Sequence, residues 1–294
     1  MKILVLGSKG QLGSCLVDQL KELKYEVNFS SKNDIDLRKI DSLEKKIISI
    51  NPDVIINAAA YTGVDKAEND QKEAYLINHT AVESIARACN ELGCWIIHIS
   101  TDYVFDGLSD IPYKEDDKTN PTSIYGKSKL KGENAIKALN NKNIIIRTGW
   151  VFSEYGNNFM KTMLKIARDN NEINVVGDQL GCPTYAQDIA KVIKHMLLRI
   201  ASNKSCAGIF HFCGNQACTW HEFALAIFLE AKLHGYQVPT HINSVSTQDY
   251  PTDALRPNYS VLDCSKITRK YSIKLSDWRN GIKIVINKLK NFND

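Results

Sequence analysis

The stretch "KILVLGSKGQLG", Lys2–Gly13, decides the fold. Its apolar half has the length of a buried parallel strand. Gly7, Gly10 and Gly13 follow in the pattern G-x-x-G-x-x-G, and "QLGSCLVDQLKEL" then carries apolar residues at helical spacing. Three glycines in a turn say little alone. Between a strand and a helix they acquire a physical meaning. Glycine permits the tight turn and lets the backbone approach a pyrophosphate, while the helix amino end offers free N–H groups and the positive end of its dipole. Gly7, Gly10, Gln11, Leu12 and Gly13 are therefore the candidate dinucleotide cradle.

Working outward, the first half keeps the same rhythm. "YEVNFS", "DVIINAAA", "WIIHIS" and "NIIIRTGWVF" read as strands, and "SLEKKIISI", "KEAYLINHTAVESIARACNELG" and "SKLKGENAIKAL" as helices. Alternation of this kind predicts an α/β fold, a Rossmann-type doubly wound parallel sheet covered on both faces. After about Ser153 the rhythm changes. "NNFMKTMLKIARDN" and "TWHEFALAIFLEAKL" are helical, "EINVVGDQLGCPT" and "GIFHFCGN" read as isolated short strands, and "VPTHINSVSTQDYPTDALRPNYSVLD" is loop-rich. We expect a nucleotide-binding domain over residues 1–152 and a smaller mixed α/β substrate-binding domain over 153–294, with part of 183–213 returning to the first.

Composition narrows the function classes. The 294 residues carry a net charge of +4 and no dense basic block, which gives no case for nucleic acid. "LKGENAIKALNNKN" and "KIVINKLKN" read as solvated faces and termini. No run of about 18 apolar residues suggests a membrane span. The eight cysteines lack metal-ligand spacing. They are expected as buried, unpaired thiols of a cytoplasmic protein.

Ligands of open α/β sheets sit at the carboxyl ends of the strands. The second strand runs into Ser30, Ser31 and Lys32 rather than an acidic residue. Lys32 and the hydroxyls can receive a 2′-phosphate, which points to NADPH with NADH as the alternative; Lys32 also reads as a plain loop lysine. Asp36 and Leu37 come later, where "DIDL" reads as lying beside the adenine. Asn57 and the small Ala58, Ala59 and Ala60 end another strand and leave room for a nicotinamide ribose. Thr101 ends the next. Tyr125 and Lys129 are four apart at the start of a helix and share one face. On their own they could be a polar surface. Beside a dinucleotide cradle and Thr101 they suit carbonyl reduction. Tyr125 would protonate the nascent alkoxide, Lys129 would stabilise the phenolate and hold ribose hydroxyls, and Thr101 would orient the substrate oxygen.

Y-x-x-x-K with an earlier strand-end threonine, and the glycine spacing, resemble the extended short-chain dehydrogenases/reductases. "NAAAYTGVDKAE", "HISTDYVFDG", "NPTSIYGKSKLKGE", "IIRTGWVF", "VVGDQLGCPT" and "ALRPNYSVLDCSKI" are similar to the dTDP-4-dehydrorhamnose reductase family over essentially the whole chain. The resemblance implies reduction of the C4 keto group of a dTDP-4-keto-6-deoxy sugar by NAD(P)H. It places Tyr61 with Ala58–Ala60 along the cofactor. It places Trp150 on the sugar or thymine side, although a buried tryptophan is also ordinary core. Val64 and Tyr103 are further candidates for that pocket. Arg256 is read either as a diphosphate contact or as a structural ion pair. Some members carry two glutamates associated with a metal-bridged dimer. Cys15 and Gln187 stand at those positions, so no metal site is expected, and a homodimer would form without such a bridge. Gly149 stands where serine is frequent.

Rival readings differ in chemistry. A nucleotide-sugar 4,6-dehydratase needs an acid–base pair after the threonine; here Asp102 is followed by Tyr103, so the base is missing. A 4-epimerase uses the same acid and hydride donor, and the whole-chain motifs favour the reductase over it. A related branch serves as an NADP-binding regulatory subunit of methionine adenosyltransferase. Retention of Thr101, Tyr125 and Lys129 favours catalysis over that binding-only role.

Overall fold

The computed structural model describes residues 1–291. The first half contains β1 (Lys2–Leu6), α1 (Gln11–Leu20), β2 (Glu26–Ser30), α2 (Ile40–Ile50), β3 (Val54–Asn57), α3 (Val64–Asn69), α4 (Gln71–Tyr75), α5 (Ala81–Leu92), β4 (Trp95–Thr101), α6 (Ile124–Leu139) and β5 (Asn143–Thr148). A π-helical turn, Leu76–Thr80, joins α4 to α5. The remainder contains β6 (Val151–Phe152), α7 (Phe159–Ile166), β7 (Glu172–Val176), β8 (Leu180–Gly181), β9 (Thr184–Tyr185), α8 (Ala186–Ala201), β10 (Gly208–His211), β11 (Cys218–Thr219), α9 (Trp220–Leu233), β12 (His241–Val245), α10 (Ser265–Tyr271) and α11 (Trp278–Asn291).

Six strands form one sheet in the order β2-β1-β3-β4-β5-β10, every neighbour parallel. Its central strands are built on apolar runs because both faces are covered. One face packs Leu16 of α1, Ile193 of α8 and Ile267 of α10; the other packs Ile47 of α2, Ile85 of α5 and Ile136 of α6. Chain order reverses between β1 and β3, which opens a crevice at their carboxyl ends. A smaller core of Phe152, Phe223, Trp278 and Ile282 knits α9 and α11 to β6 and β9.

Several expectations need correction. "GIFHFCGN" is not isolated: β10 extends the large sheet, Ile209 opposite Ile145 and Phe210 opposite Ile146. "NIIIRTGWVF" is not one strand, because Trp150 takes a left-handed φ of 49° and breaks it into β5 and β6. "KIVINKLKN" is no solvated terminus: Ile282, Val285 and Ile286 are buried along one side of α11, and the lysines are interleaved with them along the helix. "LKGENAIKALNNKN" hides Glu133, fully buried and paired with Arg147 at 2.7 Å. The cysteines are not all unpaired. Cys89 and Cys94 form a disulfide across the left-handed Gly93 turn, with Cα atoms 5.0 Å apart. Cys206 is exposed, and the other five are buried free thiols.

Candidate active site

The glycine turn closes as its sequence requires. Gly7 has φ +82°, and a Cβ there would lie 2.8 Å from the Ala59 nitrogen, so the β1 and β3 loops approach backbone to backbone. A Cβ on Gly13 would lie 2.0 Å from the Gly7 carbonyl oxygen. Gly10 is the N-cap of α1, and no side chain caps the helix. The first N–H groups of α1 are thus left for an anion, the fit that a dinucleotide pyrophosphate needs. Leu12 is buried beneath this turn. The Gln11 side chain is turned the other way, its oxygen accepting from Asn158 at 2.7 Å and from Ser153 at 3.1 Å.

Beside the turn, Ala58–Tyr61 leaves the end of β3 partly exposed. Asn78, buried in the π-helical turn, accepts from the Tyr61 N–H at 2.9 Å and donates to the Tyr61 carbonyl at 3.0 Å. Its amide also reaches Ser128 of α6, 3.0 Å away. One side chain therefore ties the cofactor-side loop to the helix that carries Tyr125 and Lys129.

α6 starts where Ser123 accepts from the Gly126 N–H, and Glu68 accepts from the Ile124 N–H at 2.8 Å. A Cβ on Gly126 would lie 2.2 Å from the Tyr103 carbonyl oxygen. That contact presses the first turn of α6 onto the end of β4. It sets the Tyr125 ring edge to face with that of Tyr103, ring centroids 6.0 Å apart, and burial holds the phenol above its ordinary pKa. The Thr101 hydroxyl donates to Asp102 at 3.0 Å and accepts from the Tyr103 N–H at 3.1 Å. Asp102 is buried, and burial raises its carboxyl to about 6. Its second oxygen has no hydrogen-bond partner among the described residues.

Lys129 departs from expectation in one respect. Its nitrogen donates to the Ile99 carbonyl at 2.6 Å and lies 3.3 Å from His98. Burial lowers it to about 8, opposed by Glu133. Both hydrogen-bond contacts of the Lys129 nitrogen are with β4, and neither is with the Tyr125 phenol.

In the loop after β2, Lys32 and Asp36 line a cavity of about 270 Å³ with Arg38 and Lys46, and Leu37 is buried. Arg38 grips Asp36 at 2.6 Å, and this hydrogen bonding holds the Asp36 carboxyl down at about 2. The Asp36 carboxylate is therefore already occupied. Arg38 was not singled out in the sequence, although its place two residues after Asp36 is the signal that could have found it.

With this geometry in place, the comparisons are specific. Residues 1–291 match the family model described as RmlD substrate binding domain. The dTDP-4-dehydrorhamnose reductase of Escherichia coli strain K12 is 42% identical over 294 residues, covering 98% of both chains. The chain belongs to the dTDP-4-dehydrorhamnose reductase family. A solved dTDP-4-dehydrorhamnose reductase from Clostridium acetobutylicum is 39% identical, with TM-score 0.91 over 99% of this chain and 100% of that one. One from Bacillus anthracis, solved in complex with NADP, is 33% identical, with TM-score 0.89 over 98% of this chain and 99% of that one.

Within this reductase family frame, the remaining predicted residues fall into two groups, Val64, Tyr103 and Arg256 around one ion pair and Trp150 apart from them against Trp220. Val64 opens α3. Its neighbour Asp65 pairs with Arg256 at 2.7 Å, and Arg256 lies 3.4 Å from the Tyr103 hydroxyl. Arg256 is thus an ion-pair residue here, beside two predicted pocket residues. Trp150 stacks on Trp220, a residue not singled out in the sequence. Gly149 has a structural reason: a Cβ there would lie 2.4 Å from the Asp102 carboxylate. Cys15 is packed in the core, and burial raises its thiol far above the usual range. Among the described residues no cluster of three or more His, Cys, Asp or Glu is placed to hold a metal, and no helix is long and apolar enough to cross a membrane.

Proposed function

We propose that this chain reduces the C4 keto group of dTDP-4-dehydro-L-rhamnose to dTDP-L-rhamnose, with NADPH as reductant and Tyr125 as proton donor. The observations that carry the reading are the seating of the first turn of α6, with Tyr125, against the end of β4 that carries Thr101, and the uncapped amino end of α1. NADPH supplies the hydride. The α1 turn, Ala58–Tyr61 and the Lys32–Arg38 loop are the residues that hold it. Thr101 positions the substrate oxygen, and Tyr125 delivers the proton from its phenol as negative charge develops there. A phenol kept above its usual pKa stays protonated at neutral pH, the form a donor needs. Lys129 lies within the same enclosure as the ribose anchor. Trp150, Val64, Tyr103 and Arg256 form the nucleotide-sugar side. In this reading residues 1–152, joined by α8 and β10, bind the cofactor, and the rest mainly binds the sugar nucleotide.

The test is incubation with NADPH and dTDP-4-dehydro-L-rhamnose, with loss of nicotinamide absorbance followed and the product identified by NMR. Formation of dTDP-L-rhamnose is expected. Tyr125→Phe should lower kcat by about 10²–10⁴-fold while NADP still binds. A fully active Tyr125→Phe protein would overturn the donor assignment.

A further inference from the structure

Behind Lys129 lies a buried polar chain that the reaction as described does not use. His98 of β4 is fully enclosed between Asn57 of β3 and Lys129 of α6, both buried too. Its Nδ1 is 3.1 Å from Asn57 Nδ2, and its Nε2 is 3.3 Å from Lys129 Nζ. A neutral imidazole carries hydrogen on one nitrogen only. Asn57 determines which. The Asn57 side-chain oxygen accepts from the Ala59 N–H at 3.2 Å, which turns its NH₂ group toward His98. An NH₂ donor needs an acceptor at Nδ1, so the hydrogen sits on Nε2. The opposite tautomer would set two donors against each other 3.1 Å apart. Burial holds His98 well below its ordinary pKa, so the ring is neutral.

Lys129 therefore faces a hydrogen-bond donor on one side and the Ile99 carbonyl on the other. An amine can accept from the first and donate to the second. An ammonium has no lone pair with which to accept. We propose that His98 is a positioning residue for carbonyl reduction: its Nε2–H faces the Lys129 nitrogen, favours the amine over the ammonium, and steers that nitrogen against the Ile99 carbonyl.

The neighbouring groups fit this role. Asn57, from β3, is neutral. Glu133, one turn along α6, favours the ammonium. Its carboxylate is largely committed elsewhere, to Arg147 of β5 and Ser100 of β4. Burial and the His98 donor act in the opposite direction to Glu133. Lys129, brought to about 8, is thus poised where a modest change in contacts switches its charge. The ammonium form is the one that supports a phenolate at Tyr125. His98 sets the pH at which that support is available. The catalytic meaning rests on the reduction proposed above; the hydrogen-bond geometry does not.

The experiment is heteronuclear NMR of the histidine ring nitrogens and lysine Nζ atoms in the intact protein, with and without NADPH. In the wild type the hydrogen of His98 should sit on Nε2. In His98→Gln, whose side-chain oxygen can accept from Lys129, the Lys129 midpoint should rise by about one pH unit, a tenfold gain in proton affinity. His98→Leu, which removes the donor and supplies no acceptor, should give a smaller rise. The matching limb of the kcat/KM profile should move with the Lys129 midpoint. A hydrogen on Nδ1, or an unmoved midpoint in His98→Gln, would overturn the proposal. The wild-type tautomer decides the matter even where a variant does not fold. A shifted midpoint in a protein that turns over no keto sugar would overturn the proposed reaction and leave the hold of His98 on Lys129 standing.

Discussion

Trp150 and Trp220 stack face to face, with ring centroids 3.4 Å apart and planes 3° from parallel. Trp150 leaves the end of β5 in a left-handed conformation, and Trp220 opens α9. Gly181 passes so close that a Cβ would lie 2.4 Å from the Trp150 indole, and the Trp220 N–H donates to Gln179 at 3.2 Å. The stack joins the large sheet to the smaller region on the proposed sugar-nucleotide side. Trp220→Ala should raise KM for the nucleotide sugar several-fold and leave NADPH affinity unchanged, with at least about 1 kcal/mol lost from the stack itself. Steady-state kinetics against each substrate, with a cofactor titration, would check this. Equal weakening of both ligands would contradict it.

Asp102 predicts a pH-dependent stability. Its folded pKa, about 6, lies above the ordinary carboxyl value because burial disfavours the charged form. The folded state thus binds a proton that the unfolded state releases, and stability falls as pH rises through that interval. Asp102→Asn, neutral throughout, should gain on the wild type by about 1–3 kcal/mol above pH 6, and by little near pH 4. Denaturant unfolding of both proteins at the two pH values measures it. An advantage independent of pH would contradict the account.

Gly13 predicts a failure of the cradle. Its missing Cβ leaves the 2.0 Å position beside the Gly7 carbonyl free. Gly13→Ala must open the turn, at a cost of roughly 1–3 kcal/mol from overpacking. NADPH affinity should fall at least tenfold, read by fluorescence titration, while the substrate side, distant from the turn, keeps its binding of dTDP.

The sheet up to β5 was legible because each strand is a compact apolar run between helical segments. β10 lies within 183–213, part of which was expected to return to the first domain, but its pairing with β5 was not legible, because a four-residue strand carries no mark of which sheet it joins. The role of α11 was hidden by lysines interleaved with Ile282, Val285 and Ile286. Thr101, Tyr125 and Lys129 were legible from spacing and strand ends. Their surroundings were not. Asn78, His98 and Glu133 come from separate segments and acquire meaning only when α6 docks on the π-helical turn and β4. Trp220 was read as part of a helix, and nothing in its neighbours signals a partner seventy residues away.

The most direct test of the central claim follows a labelled hydride. The protein is supplied with dTDP-4-dehydro-L-rhamnose and NADPH carrying deuterium at C4 of the nicotinamide, each C4 epimer in turn, and the sugar is examined by NMR. The account predicts dTDP-L-rhamnose with deuterium at sugar C4 from one epimer and none from the other. Absence of label at that carbon with both epimers, or no turnover at all, would contradict it.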